Sequence, residues 1–121
     1  HVDLRHVLRR IGHAGTLKQL EERLPALHLA RPPHLRGLRG SDAARLFQSG
    51  RAGDRAALQR FAEYNLYDAV NLRTLMAHAY NALAEQLTKR FPRVHERVAR
   101  VAVPERGDLL YDISKLLLRL A

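Results

Sequence analysis

Tyr64 and Asp68 stand four residues apart in the segment "FAEYNLYDAV", residues 61–70. On a helix that spacing is one turn, so the phenol and the carboxylate share a stripe. Asp68 has Leu at position 72 and Tyr at 64, so no basic residue one turn away explains it. It also lies between Leu66, Ala69 and Val70, close to an apolar face. A carboxylate at a core boundary needs a hydrogen-bonding network, a distant arginine or a metal ion, unless it caps a second helix. The other acidic pairs are ordinary by comparison. Asp112 has Lys115 three residues on, a surface ion-pair spacing, Asp108 precedes a helical pattern, and Glu21 and Glu22 lie among arginines.

The remaining chemistry-bearing residues form no recognisable site. His1, His6 and His13 cluster with Asp3 near the N-terminus, but no pair has the i, i+4 spacing of a helical zinc site. His28, His34, His78 and His95 are dispersed and carry no assignment. "RGLRG" and "SGRAGD" lack the dinucleotide and Walker phosphate-loop patterns and read as turns. There is no G-x-S-x-G, and the absence of cysteine excludes disulfides and thiolate metal sites.

The elements that position Tyr64 and Asp68 are helical. Leu4, Val7, Leu8 and Ile11 follow the i, i+3, i+4, i+7 pattern, with Asp3 as cap and Gly12 and Gly15 as the break. Thr16 and Gln19 have capping-box spacing for a second helix, "LKQLEERL", which Pro25 ends. Residues 27–40, with paired prolines and two glycines, read as a loop. A short helix capped by Ser41 or Asp42 is expected through Phe47, with a turn over residues 48–54 and Asp54 as the next cap. From Arg55 to about Lys89 a broad apolar stripe runs through Leu58, Phe61, Leu66, Val70, Leu72, Leu75, Met76, Ala79 and Leu83. It predicts one long helix, or two with a bend between Tyr64 and Asp68. After Pro92, "VHERVARVAV" fits either a helix or a short strand, and Asp108 is expected to cap a last helix through "LLYDISKLLLRL".

A chain of 121 residues is the size of one modest domain. Its one methionine is Met76, so a processed product or a fragment is expected. No apolar run approaches the roughly 20 residues of a membrane span, and the N-terminus has no signal-peptide pattern. A cytoplasmic protein is the default expectation. The net charge of +9 and pI near 11 make a polyanion partner plausible. The excess is 18 Arg against 3 Lys, a bias that GC-rich coding also produces.

"YNLYDAVNLRTLM" resembles the last acidic motif of DEDD-type 3′-to-5′ exonucleases of the ribonuclease-H-like superfamily. There a tyrosine precedes a metal-binding aspartate by four residues. "HVDLRH" at 1–6, "TLKQLEERL" at 16–24 and "ARLFQSGRAGD" at 44–54 match, in order, a bacterial branch of predicted exonucleases. That branch often has histidine before its "N-x-x-D", whereas this chain has Tyr64. The resemblance covers about residues 1–80 and implies a mainly α chain: the helical C-terminal half of an α/β domain whose strands and other three carboxylates lie before His1. Residues 1–90 would be that half-domain and 91–121 a helical extension.

By the same resemblance Asp68 would be a catalytic metal ligand for Mg²⁺ or Mn²⁺, and Tyr64 would orient the attacking water. In such enzymes two ions about 4 Å apart act on the phosphodiester, and the substrate would be single-stranded DNA or RNA. Asn65 and Asn71 flank the pair, either as groups that support the metal ligand from behind or, the preferred reading, as surface amides. One carboxylate cannot hold two ions, so activity would require the missing half or a partner, and dimerisation through exposed apolar surface would be one way to cover the face left bare. The alternative reading is a non-catalytic basic helical module that binds nucleic acid or a protein.

Overall fold

The computed structural model describes residues 3–93, 99–103, 115, 118 and 119. Among them the elements are α1 (Leu4–Arg10), α2 (Leu17–Arg23), 3-10 turns at Pro25–Leu27 and Pro33–Leu35, α3 (Gly40–Arg51) and α4 (Arg55–Arg90), with no strand. The expected cap Asp108 and Asp112 lie outside the described residues, as does most of the expected last helix, of which residues 115, 118 and 119 are described and helical.

The caps read from the sequence form the helix starts. Asp3 accepts the Arg5 N–H at 3.0 Å. Thr16 and Gln19 complete their capping box, Gln19 Oε1 accepting the Thr16 N–H at 2.9 Å. Asp54 accepts the Ala57 N–H at 3.0 Å and starts α4. Helix α3 departs from expectation at both ends. It begins at Gly40, because Asp42 folds back to accept the Arg39 N–H at 2.8 Å and so acts from inside the first turn. It continues through residues 48–51, and the turn is confined to residues 52–54.

Two compact units divide the chain, and α4 runs through both without interruption. The first takes residues up to Leu29 and again from Asn71. Its core is Leu8, Leu20, Leu29, Leu75 and Ala79, flanked by Leu4, Val7, Ile11, Leu17, Leu24 and Leu27. Burying each large side chain stabilises the unit by about 1.5–3 kcal/mol. Gly12, at φ 92°, ends α1 in the left-handed region where a side chain would be strained. The reversal lets the His13 N–H bond the Leu8 carbonyl at 2.8 Å. His13 thereby meets His78 of α4, with ring centroids 5.5 Å apart. Residues 99–103, expected as helix or strand, are neither. They are held by Asn81, whose side chain donates to the Val101 carbonyl at 2.8 Å and accepts its N–H at 2.9 Å.

The second unit, from Ala30 to Val70, is built on Leu35, Ala43, Tyr64 and Tyr67, with Leu38, Phe61, Leu66 and Val70 against them. Phe47 and Phe61 join α3 to α4 with ring centroids 5.1 Å apart. The apolar stripe expected on α4 is only partly the buried one. Leu75 and Ala79 are buried, but Leu58, Leu72 and Met76 are exposed, while Tyr64, Tyr67, Asn71 and Thr74 are inside. The buried line is shifted toward residues with polar groups: Asn71 bonds Glu21 and the Leu29 carbonyl, and the Tyr64 ring lies against Arg31.

Two tests follow from these contacts. A Cβ on Gly50 would lie 2.8 Å from Leu58 Cβ and 3.0 Å from its Cα. Gly50→Ala should therefore destabilise the protein by about 1–3 kcal/mol through overpacking, against the gain of nearly 1 kcal/mol usual for this exchange within a helix; the urea midpoint reads the sign. Burial, and then the neighbouring His13, hold the His78 pKa below its ordinary 6.5. Its contribution to stability is complete above that pH and is lost as pH falls below it, because the unfolded imidazole takes the proton more readily. His78→Gln should flatten this part of the stability profile, as measured by urea midpoints between neutral and mildly acidic pH.

Candidate functional site

Helix α4 brings Tyr64 and Asp68 to one face, as their spacing requires. Tyr64 is buried in the core of the second unit, and the Asp68 side chain is 32% exposed at its edge. Between them lies Arg31, whose side chain is 3% exposed. Its Nη2 donates to Asp68 Oδ1. Its guanidinium carbon lies 5.1 Å from the centroid of the Tyr64 ring. The phenol ring and the carboxylate thus form two sides of a cradle for one cation.

The loop sequence delivers Arg31 to this position. Pro32 is extended at φ −59°, ψ 152°, and a residue that precedes proline is itself steered away from helical backbone. Arg36 Nε donates to the Arg31 carbonyl at 2.9 Å, which closes the loop around it. Leu35, fully buried, anchors the same turn in the core. Desolvating an arginine costs several kcal/mol unless a carboxylate and further contacts offset it. A cation–π contact adds about 0.5–2 kcal/mol.

One turn earlier, His34 Nε2 lies 2.8 Å from Glu63 Oε2, a second link from the same loop to α4. The two flanking amides behave differently. Asn65 is exposed and bonds the Phe61 carbonyl of its own helix. Asn71, read from sequence as a surface amide, is 1% exposed and donates to Glu21 Oε1 at 2.8 Å and to the Leu29 carbonyl at 3.0 Å. It is a structural tie between α4, α2 and the segment after it. The sequence carried no mark on Arg31, one of 18 arginines and 37 positions from Asp68. A carboxylate at the core boundary without a local partner is the one available sign that some arginine would serve.

Among the described residues no group of three or more His, Asp or Glu is arranged to hold a metal ion. Asp68 has the right donor chemistry for a hard cation, but one carboxylate with an arginine on Oδ1 does not make a cage. No helix among the described residues is long and apolar enough to cross a membrane.

The cradle predicts an order of stabilities. Asp68→Ala removes the carboxylate from a buried guanidinium and should cost about 3 kcal/mol or more. Arg31→Met removes the buried charge itself, leaves the more exposed partner in contact with solvent, and should cost less. Urea denaturation of the two variants gives the order directly.

A family model of the RNase H superfamily matches residues 1–80, which include α1 to α3 and the part of α4 that carries Tyr64 and Asp68. No curated protein and no solved structure matches the chain. The mainly helical architecture accords with a helical part of an RNase H-like domain. With about two thirds of its length inside the match, the chain belongs to the RNase H superfamily.

Proposed function

We propose that this chain is the C-terminal part of a metal-dependent 3′-to-5′ exonuclease domain acting on single-stranded DNA or RNA. RNase H-like domains in general are nucleases that bind nucleic acid and use divalent metals. The observation that carries the finer reading is the pairing of Tyr64 and Asp68 across one turn of α4, within the family-matched residues, with the carboxylate at the edge of the core and partly open to solvent. Asp68 would contribute one oxygen ligand to Mg²⁺ or Mn²⁺, the other carboxylates coming from the family's earlier acidic motifs. Such ions polarise a phosphodiester and lower the pKa of water bound to them.

The chain's own residues would do the positioning. Arg31, held between Asp68 and Tyr64, would limit the rotation of the carboxylate. It also places a positive charge beside the site, which favours an anionic backbone. Tyr64 would orient a water through its hydroxyl while its ring holds the guanidinium.

The test uses the native gene product and isosteric changes. Asp68→Asn keeps an oxygen to accept from Arg31 but loses the charge that offsets the buried guanidinium, so it should be less stable than the native chain, and it is assayed under conditions where circular dichroism shows it folded. It is expected to lower Mn²⁺-dependent degradation of end-labelled single strands by on the order of 100-fold or more. Tyr64→Phe keeps the ring on Arg31 and should cost on the order of tenfold. Full activity in a folded Asp68→Asn protein would end the catalytic reading.

That outcome would favour a non-catalytic basic module, for which one observation also speaks: Asp68 is already matched by Arg31 in a chain of net charge +9. Binding of that kind persists in Asp68→Asn and weakens steeply with salt as counterions are released.

A further inference from the structure

We propose that His13 and His78 form a binding site for a borderline transition-metal cation, with Zn²⁺ as the natural occupant class, separate from the Tyr64–Asp68 region and independent of its function. The two Nε2 atoms lie 3.4 Å apart. That is long for a hydrogen bond between two nitrogens. It matches the bite of a tetrahedral ion: zinc–nitrogen bonds of about 2.0–2.1 Å at the tetrahedral angle hold two imidazole nitrogens about 3.3 Å apart. Two Nε2 atoms that face each other need either a shared proton or a shared cation between them, since two lone pairs repel.

The backbones that carry the rings are fixed before any ion arrives. His13 is placed by the reversal at Gly12, its N–H bonded to the carbonyl of the buried Leu8. His78 lies on α4 between Leu75 and Ala79, both in the same core cluster as Leu8. The cluster under the two rings therefore sets their separation, and a cation would meet a preorganised pair rather than have to assemble it.

The donor set also selects the ion. Imidazoles suit zinc, nickel and copper, whereas Mg²⁺ and Ca²⁺ require oxygen ligands. No third His, Asp or Glu completes a cluster among the described residues, so water would fill the remaining positions. Such a site is open and exchangeable, and it would bridge residues 65 apart in sequence. A cation that binds only this folded arrangement stabilises it by mass action.

The experiment uses the full chain stripped with a chelator. Zn²⁺ should bind one per chain and raise the thermal midpoint saturably, and Mg²⁺ should not reproduce the effect. His13→Gln and His78→Gln should each weaken binding at least tenfold, whereas His6→Gln, which changes an exposed histidine outside the pair, should leave it unchanged. Copper(II) resonance of the unmodified chain should show coupling to two imidazole nitrogens, a readout that does not depend on either variant folding. Zinc binding of equal strength in both histidine variants, the absence of one-to-one binding, or copper spectra without two nitrogens would each overturn the site.

Discussion

A buried guanidinium is the constraint around which the second unit is organised. Arg31 cannot sit inside a small core unless a carboxylate and an electron-rich face meet it there. Asp68 and Tyr64 meet that demand because a helix brings residues four apart onto one side. The rest follows from delivering the arginine: the two prolines stiffen its loop, Arg36 holds its carbonyl, and Leu35 anchors the turn beneath it. Helix α4 therefore buries tyrosines where a purely apolar stripe would have turned Leu72 and Met76 inward.

Local features of the fold were legible because their causes are local. Asp3, Thr16 with Gln19, and Asp54 each cap a helix through a backbone group no more than three residues away. The long helix was legible from its periodicity, though which side it buries was not. That side is decided by Asn71 reaching Glu21 and Leu29, by Tyr64 under Arg31 and by His78 beside His13. Each of these contacts spans more than thirty positions, and nothing in residue type or spacing marks the partners. The one signal that did survive was a carboxylate whose neighbours failed to account for it.

The ion pair and the proposed metal role place two demands on Asp68. A carboxylate has two oxygens, and Arg31 takes up Oδ1. An arginine in such a position sets the angle of the carboxylate and moderates its charge, so that any second cation meets a group already half neutralised. Under the proposed function that second cation would be a metal ion, which RNase H-like nucleases in general use. The structural role explains why the residue is an acid, and the proposed catalytic role would account for that acid staying accessible when a fully buried pair would have served packing better.

The contact between Asn81 and Val101 has a meaning beyond holding a short segment. A helix spends its backbone groups on itself and has none along its flank to offer an extended chain. The carboxamide of Asn81 presents one donor and one acceptor with the spacing of a peptide group, and residue 101 pairs with both. Helix α4 thereby acquires a single rung of sheet-like edge, positioned by one side chain. Residues 99–103 meet α4 there through the backbone of Val101 and also through Arg100, whose Nη2 lies 3.7 Å from Glu85 Oε2, so the register of the first contact leaves most of their side chains free while the second asks for a cation.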